Sequence, residues 1–178
     1  MRLRTDPRAL YRSARIRVKR LARRTAAVRY RSVVVPLLGR AETEHAVDLA
    51  CRLAADRGAR VILVAPLVVE PELPLTAHLD EEKAALQVRL DEAAAIAESY
   101  GVGATKRLVI TRERALGLEL ASVAREYRAE LIVVGSPVES RRGFRRAFPS
   151  EVFSVLREAP CRVMVATGPV AGRSRPAA

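Results

Sequence analysis

The chain has 178 residues, a net charge of +12 and an apolar fraction of 49%. This length suits one domain with an extension, and the apolar fraction is sufficient for a buried core of Val, Leu, Ile and Ala. The longest apolar run, Val61 to Val69, is far below the ~20 residues of a spanning helix, and no apolar leader follows the basic N-terminus, so neither a membrane span nor a secretory signal is predicted.

The positive charge is concentrated in an N-terminal arm, residues 1–30. Residues 1–31 contain 12 of the 32 Arg and Lys residues and a single acid, Asp6, whereas residues 32–178 are nearly neutral. A helix is predicted from Arg8 to Val28, because apolar residues recur at helical spacing: Leu10, Ala14, Val18 and Leu21. Its apolar face is thin, so the segment is not expected to be helical in isolation.

Three interpretations of this arm stay open. Residues 1–28 are a disordered solvated tail, a basic amphipathic helix on an anionic lipid surface, or a segment that contacts nucleic acid. Tyr11 and Tyr30 are too few aromatic residues to stack on bases, so no specific nucleic acid is predicted as a partner.

From Arg31 to Tyr100, the pattern predicts two strands that are each followed by a helix. The elements are strand Val33–Leu37, a helix with Glu42 and Glu44 in its first turn that ends at Gly58, strand Val61–Val64 and helix Leu79–Tyr100. Continuous apolar runs are typical of strands covered on both faces. Three prolines indicate an irregular connection before the long helix: Pro66, Pro71 and Pro74.

From Tyr100 onward, three more strands are separated by two helices. The elements are strand Leu108–Ile110, a helix with Leu116, Leu120, Val123 and Tyr127 on its inner face, strand Leu131–Val134, a helix with Val152, Val155 and Leu156 inside that stops at Pro160, and strand Arg162–Ala166. Lys106 and Arg107 place the third strand at a sheet edge. Residues 168–178 are expected to be a disordered tail.

This alternation of strands and helices predicts one α/β domain over residues 31–167. The expected fold is a single doubly wound, five-stranded parallel sheet with helices on both faces. In such sheets, ligands bind outside the carboxyl ends of the strands. The turn at Gly135 and Ser136, after the fourth strand, is therefore the first place to expect a ligand, although a purely structural turn remains an equal alternative.

The domain resembles the universal stress protein family. The likeness covers about residues 31–167 and is carried by four segments: Val33-Val34-Val35-Pro36, Ala59 to Val64, Ala129 to Ser136, and Val155 to Val163. It implies strand order 3-2-1-4-5, a crevice between strands one and four, and a homodimer built through the last strand. A second likeness, through Tyr30 to Leu38 and Glu72 to Leu75, is to the soluble domain that follows the membrane part of some bacterial amino-acid permeases.

ATP-binding members of this family carry an Asp after the first strand and the motif G-x2-G-x9-G-[ST] after the fourth. The Asp holds the adenosine, and the glycines let backbone N–H groups approach the phosphates. Here Leu38 takes the Asp position, and Gly135 and Ser150 match the first glycine and the hydroxyl residue. The second glycine falls at Val138 or Glu139 and the third at Pro149, which removes a donor.

The altered motif predicts a non-enzymatic, cytoplasmic stress-response or regulatory module whose nucleotide site is degenerate. No resident cofactor is expected; ATP or another adenine nucleotide is the alternative ligand, and association with a membrane transporter is the alternative role. A ligand would contact seven residues: Pro36, Leu37, Leu38, Val134, Gly135, Ser136 and Ser150. The loop above them contains Arg141, Arg142, Arg145 and Arg146, which either receive an anionic ligand or form a solvated run. Ser150 is expected to cap the last helix.

No catalytic residue and no metal site are predicted. His45 and His78, the only histidines, have no Ser, Cys or acid at a spacing that indicates a catalytic pair. Cys51 and Cys161 lie in apolar segments without a CxxC pattern, so we expect free thiols in a reducing compartment. The expected partners are a second copy of the chain, in a homodimer, and a regulated protein or a transporter.

Overall fold

The computed structural model describes residues 30–39, 41–71, 79–137 and 148–167. The arm helix predicted from Arg8 to Val28, His78, the four loop arginines and the tail lie outside these residues.

Within these ranges, five strands and four helices alternate, with one 3-10 turn. They are β1 (Ser32–Pro36), α1 (Ala41–Ala55), β2 (Arg60–Val68), α2 (Asp80–Ser99), β3 (Ala104–Thr111), the 3-10 turn Glu113–Ala115, α3 (Leu116–Glu126), β4 (Leu131–Ser136), α4 (Ser150–Glu158) and β5 (Arg162–Thr167). The strands form one parallel sheet in the order β3-β2-β1-β4-β5. The predicted fold class and strand order are confirmed.

Helices cover the sheet on both faces, and each face has its own core. Alternate residues of β1 point to opposite sides, so Val33 and Val35 pack with α1 and α2, whereas Val34 packs with α3 and α4. Leu90 fixes α2 to the first core, and Leu120 fixes α3 to the second. Since β1, β2 and β4 are buried on both faces, their apolar runs are continuous rather than alternating.

Strand β2 is longer than the sequence predicts. The prediction placed Pro66 in an irregular connection, but this proline lies inside β2 and pairs with Val109 of β3. The carbonyl of Val64 accepts a hydrogen bond from Leu37 N–H, so the backbone groups of Pro66, two residues on, also face β1. The pairing of β1 with β2 ends at Pro36 and Val64, so Pro66 lies beyond the last residue pair on that side, and its missing N–H removes no bond of the ladder.

Strand β3 forms an edge of the sheet, as its charges predict. Lys106 and Arg107 are exposed and form ion pairs with Asp91 and Glu126, at 2.6 and 3.2 Å. The prediction for Leu156 is wrong: this side chain is 40% exposed, because the short helix α4 buries only a narrow stripe that includes Val152 and Val155.

In the described ranges, no helix combines the length and the apolar character needed to cross a bilayer. Gly58, three residues after the end of α1 at Ala55, has a φ of +61°, in the left-handed region that ends many helices, so its predicted role as a helix stop is confirmed.

Candidate ligand-binding crevice

The sheet opens at the carboxyl ends of β1 and β4. The pairing of these strands consists of two residue pairs: Val33 with Leu131 and Val34 with Ile132. The Ser32 carbonyl accepts a hydrogen bond from Glu130 N–H, so the alternating backbone groups of Pro36 also face β4. Pro36 has no N–H to donate, and the pairing stops before it. The separated strand ends leave a crevice at the topological switch point of the sheet.

Two side chains hold the loop from β1 to α1 beside this opening. Gly39 N–H donates to Thr43 Oγ1 at 3.1 Å, and the Thr43 hydroxyl donates to the Gly39 carbonyl at 2.5 Å. The Arg89 guanidinium, from the middle of α2, donates to the carbonyl of Gly39 and, at 3.4 Å, to that of Leu37. Protein groups therefore hold the loop, and Arg89 already has backbone partners.

A cavity of about 310 Å³ lies at this opening. Its size is at the lower end of the ~300–1,000 Å³ that small-molecule sites occupy. The lining is largely apolar, with one cationic and two acidic side chains. It consists of Leu37, Leu38, Gly39, Glu42, Pro66, Val68, Arg89, Leu116, Gly135, Pro137, Pro149, Glu151 and Val152.

The residues predicted for the site fall into three groups. Three line the cavity: Leu37, Leu38 and Gly135. Three others are buried in β1 and β4 beside it: Pro36, Val134 and Ser136. Ser150 is exposed and lines a neighbouring groove of about 760 Å³ together with Glu113. The fold thus gathers six of the seven residues at the strand ends and places Ser150 next to them.

Gly135 is needed for packing. A Cβ atom at this position would lie 2.2 Å from the Glu42 carbonyl oxygen and 2.9 Å from the Thr43 nitrogen. The end of β4 therefore contacts the backbone of the first turn of α1 directly. The next residue, Ser136, is fully buried, and its hydroxyl donates to the Pro137 carbonyl at 3.1 Å. Both residues have structural roles that do not involve a ligand.

The N-terminus of α4 differs from the prediction. Ser150 is the first helical residue rather than the cap; Pro149 takes the cap position, and its carbonyl accepts hydrogen bonds from the N–H groups of Val152 and Phe153. The Ser150 hydroxyl instead lies 3.4 Å from Glu113 Oε1. The prediction that Ser150 caps this helix is wrong, because the helix begins one residue earlier than its serine suggested.

The charges around the cavity do not favour a triphosphate. Glu42 and Glu151 are both partly buried at the cavity wall, and Arg89 is the cation among its lining residues. Two carboxylates beside a polyanion raise the free energy of the complex through like-charge repulsion. Residues 138–147, which include the position of the second glycine and the loop arginines, lie outside the described part of the chain.

Arg89 and Glu42 were not among the predicted site residues. Arg89 belongs to a helix far along the chain from β1. The rotation of that helix about its axis, which the sequence does not fix, brings the Arg89 guanidinium to the strand ends. Glu42 was interpreted as a favourable charge at the start of a helix, and only the three-dimensional structure places it on the cavity wall.

The remaining reactive side chains lie elsewhere. Both cysteines are free thiols, as predicted. Burial, together with the nearby Asp48, raises the pKa of Cys51 to about 11, and burial followed by the charge of Glu130 raises the pKa of Cys161. Both thiols are therefore poor nucleophiles near neutral pH. No cluster of three His, Cys, Asp or Glu side chains that could hold a metal occurs among the described residues.

A doubly wound parallel sheet with a crevice at its switch point defines a class of α/β domains that bind small ligands. Within this class, the model of the universal stress protein family matches residues 29–167. The chain therefore belongs to the universal stress protein family.

Solved structures of this family share the fold. A universal stress protein family member from Burkholderia pseudomallei is 30% identical, with 78% of this chain and 97% of that chain aligned and a TM-score of 0.60. A universal stress protein in complex with cAMP is 23% identical (78% and 97% aligned, TM-score 0.58), and one from Archaeoglobus fulgidus in complex with dAMP is 22% identical (78% and 98% aligned, TM-score 0.58). Comparison with curated proteins found no significant match.

Proposed function

We propose that this universal stress protein is a non-enzymatic regulatory module that acts through protein contacts and has lost tight ATP binding. The observation that carries this proposal is Leu38. Its half-buried side chain lies on the cavity wall after β1, where ATP-binding members are expected to have an Asp. A leucine cannot accept the hydrogen bonds of ribose or adenine.

The phosphate end of the crevice supports the same proposal. Pro149 at the start of α4 offers no N–H, and Glu151 in the first turn adds a negative charge beside the place where phosphates would lie. Each lost charge-assisted contact costs about 1.5–3 kcal/mol, so two losses would weaken binding by about 10²- to 10⁴-fold.

The absence of an enzymatic role is part of the proposal. The two thiols of the described residues have raised pKa values, and His45 lies exposed on α1. A general base near the crevice would need a suitable pKa and reach. Purified protein that hydrolyses ATP, with the activity lost in Ser150→Ala, would contradict this part of the proposal.

Isothermal titration calorimetry tests the ligand prediction directly. We expect no measurable binding of ATP to the wild-type chain at micromolar concentrations. In Leu38→Asp, which restores the acceptor, affinity for adenosine-containing ligands should rise by about tenfold or more. Leu118→Asp is the matched control, because Leu118 is 54% exposed on α3 and should not affect binding. Low-micromolar binding of ATP to the wild-type chain would refute the proposal.

A second candidate function is binding of an adenine mononucleotide. It is favoured by the largely apolar cavity, whose two carboxylates and one cation repel a ligand with a single phosphate less than they repel a triphosphate. Relatives of the same fold have been solved with cAMP and dAMP. The same titrations with cAMP and AMP separate the two functions: binding of either with no binding of ATP supports the second.

The assembly and location belong to the same proposal. β5 lies at the edge of the sheet, and its free backbone groups suit pairing with a second copy, so we infer a homodimer. The two free thiols suit a reducing, cytoplasmic compartment. In that setting, the regulated protein could be a membrane transporter. Light scattering of the purified chain measures the dimer, and a monomer at micromolar concentration would contradict it.

A further inference from the structure

A second cavity lies between α1 and α2, on one face of the sheet. This α1–α2 groove has a volume of about 790 Å³. Its floor and walls include five apolar residues: Val47, Ala85, Val88, Ala95 and Ile96. Val88 is 57% exposed, although an aliphatic side chain gains free energy when it leaves water. Two exposed acids, Glu44 and Glu92, and one half-buried cation, Arg89, also line the groove. The surface is thus apolar in its centre and acidic beside it.

The helices around the groove carry an excess of negative charge. α1 and α2 together contain nine acidic and three basic residues, whereas the 3-10 turn, α3 and α4 contain five acidic and three basic residues. Three of the nine acids form ion pairs with residues that the structure describes. Glu44 and Glu92 form none with any other residue in the described ranges. The cation of the groove lining, Arg89, donates to the carbonyls of Leu37 and Gly39, so the two acids leave the lining with a net negative charge.

The N-terminal arm has the complementary chemistry. Residues 1–31 combine 12 basic residues with one acid. The arm also carries small and medium apolar residues at helical spacing: Leu10, Ala14, Val18 and Leu21. An amphipathic basic segment of this kind places a narrow apolar stripe on an apolar groove and its charges on acidic rims.

The point where the arm joins the domain is on the correct side of the sheet. Tyr30 packs against the core under α1 and α2, and the Arg57 guanidinium lies 5.4 Å from the centre of its ring, just after α1. Val47 lies eight residues before Ala55, the end of α1, which is about 12 Å along the helix axis. Residues 22–29 can span up to about 26 Å, so Leu21 and the residues before it can reach the groove.

We propose that the N-terminal arm docks in the α1–α2 groove of its own chain, with its apolar stripe on the groove floor and its basic residues against Glu44 and Glu92. Tethering favours this occupant over a separate molecule, because a short linker gives an effective concentration in the millimolar range. Docking does not depend on whether the crevice binds a nucleotide, so it stands apart from the proposed function.

Paramagnetic broadening in nuclear magnetic resonance tests the proposal on the full-length chain. A nitroxide is attached to Ala14→Cys in a chain that also carries Cys51→Ala and Cys161→Ala. We expect the amide signals of Val88 and Glu92 to lose more than half of their intensity, while that of Leu118, on the opposite face, keeps it. Salt at about 1 M reduces the screening length to about 3 Å and should restore the signals.

Charge reversal provides the matched comparison. The pair Glu44→Lys and Glu92→Lys should abolish the broadening, whereas Glu113→Lys with Glu119→Lys, on the other helical layer, should leave it unchanged. These side chains are all exposed, so neither pair should prevent folding.

Three outcomes would overturn the proposal. One is that the amide signals of Val88 and Glu92 keep their intensity. Another is that the amide signals on both faces of the sheet, including that of Leu118, broaden equally. The third comes from a mixture of spin-labelled chains and isotope-labelled chains without the nitroxide. If the broadening in this mixture is as strong as in chains that carry both the nitroxide and the isotope label, the arm occupies a second copy.

Discussion

Replacing Gly135 with alanine gives a direct test of how the crevice is built. The new Cβ would lie 2.2 Å from the Glu42 carbonyl oxygen and 2.5 Å from its carbon. To restore an ordinary contact of 3.4 Å, β4 and the first turn of α1 must separate by about 1.2 Å. Both contacting groups are backbone, so no side-chain rotation can relieve the overlap. Overpacking in a core costs about 1–3 kcal/mol and occasionally more, and we expect the upper end here.

A loss of about 3 kcal/mol should lower the melting temperature by about 6–12 °C in a chain of this size. Thermal and urea unfolding followed by circular dichroism measure it. Gly103→Ala is the matched control, because no atom lies within 4 Å of its added Cβ and its φ is not positive. We expect that variant to stay within about 0.5 kcal/mol of the wild type. Equal stability of Gly135→Ala and the wild type would refute the packing argument.

Unfolding and titration experiments test three other contacts. Gly117→Ala should be strongly destabilising, because its Cβ would lie 2.4 Å from the Ser154 carbonyl oxygen. Ser154→Ala, which removes the acceptor of the Gly117 N–H, should cost only about 1 kcal/mol, and equal losses in urea would contradict this. Burial raises the pKa of Cys51 from 9.0 to about 11, so its contribution to stability is complete below pH 9.0 and is lost as the pH rises towards 11. Cys51→Ala should abolish that loss, and an identical pH dependence in both proteins would exclude it. The hydrogen bond from Lys106, followed by that from Gln87, lowers the pKa of Asp91. Lys106→Met should therefore raise it in a carboxyl titration by magnetic resonance, and an unchanged pKa would disprove the contact.

The layers of this fold could be predicted from the sequence, but the strand ends could not. Continuous apolar runs such as Val33 to Val35 show that both faces of a strand are covered, and this property is local. Whether a proline can stay inside a strand depends on which neighbour its missing N–H would face. For Pro66 that neighbour is β1, which has already ended, and this information is present only in the register of the sheet.

The candidate site, too, could be predicted only in part: the residues that follow the strands could be placed, and those contributed by the helices could not. Leu38 and Gly135 could be placed at the crevice because they follow parallel strands, whose carboxyl ends meet at one edge. Arg89 could not, because the rotation of α2 about its axis decides which of its side chains reaches the strand ends. The prediction that Ser150 is the N-cap was wrong by one residue. Serine and the proline before it both suit the start of a helix, so the sequence does not show which of the two is the cap.

The break between β1 and β4 has a consequence for how this domain can change over evolution. The opening depends on an imino acid in β1, Pro36, and on direct backbone contact at Gly135, and neither depends on a bound molecule. The scaffold therefore retains this compartment when the polar residues around it are exchanged. Substitutions at Leu38 or Glu151 can alter the chemistry of that compartment without altering the architecture that creates it.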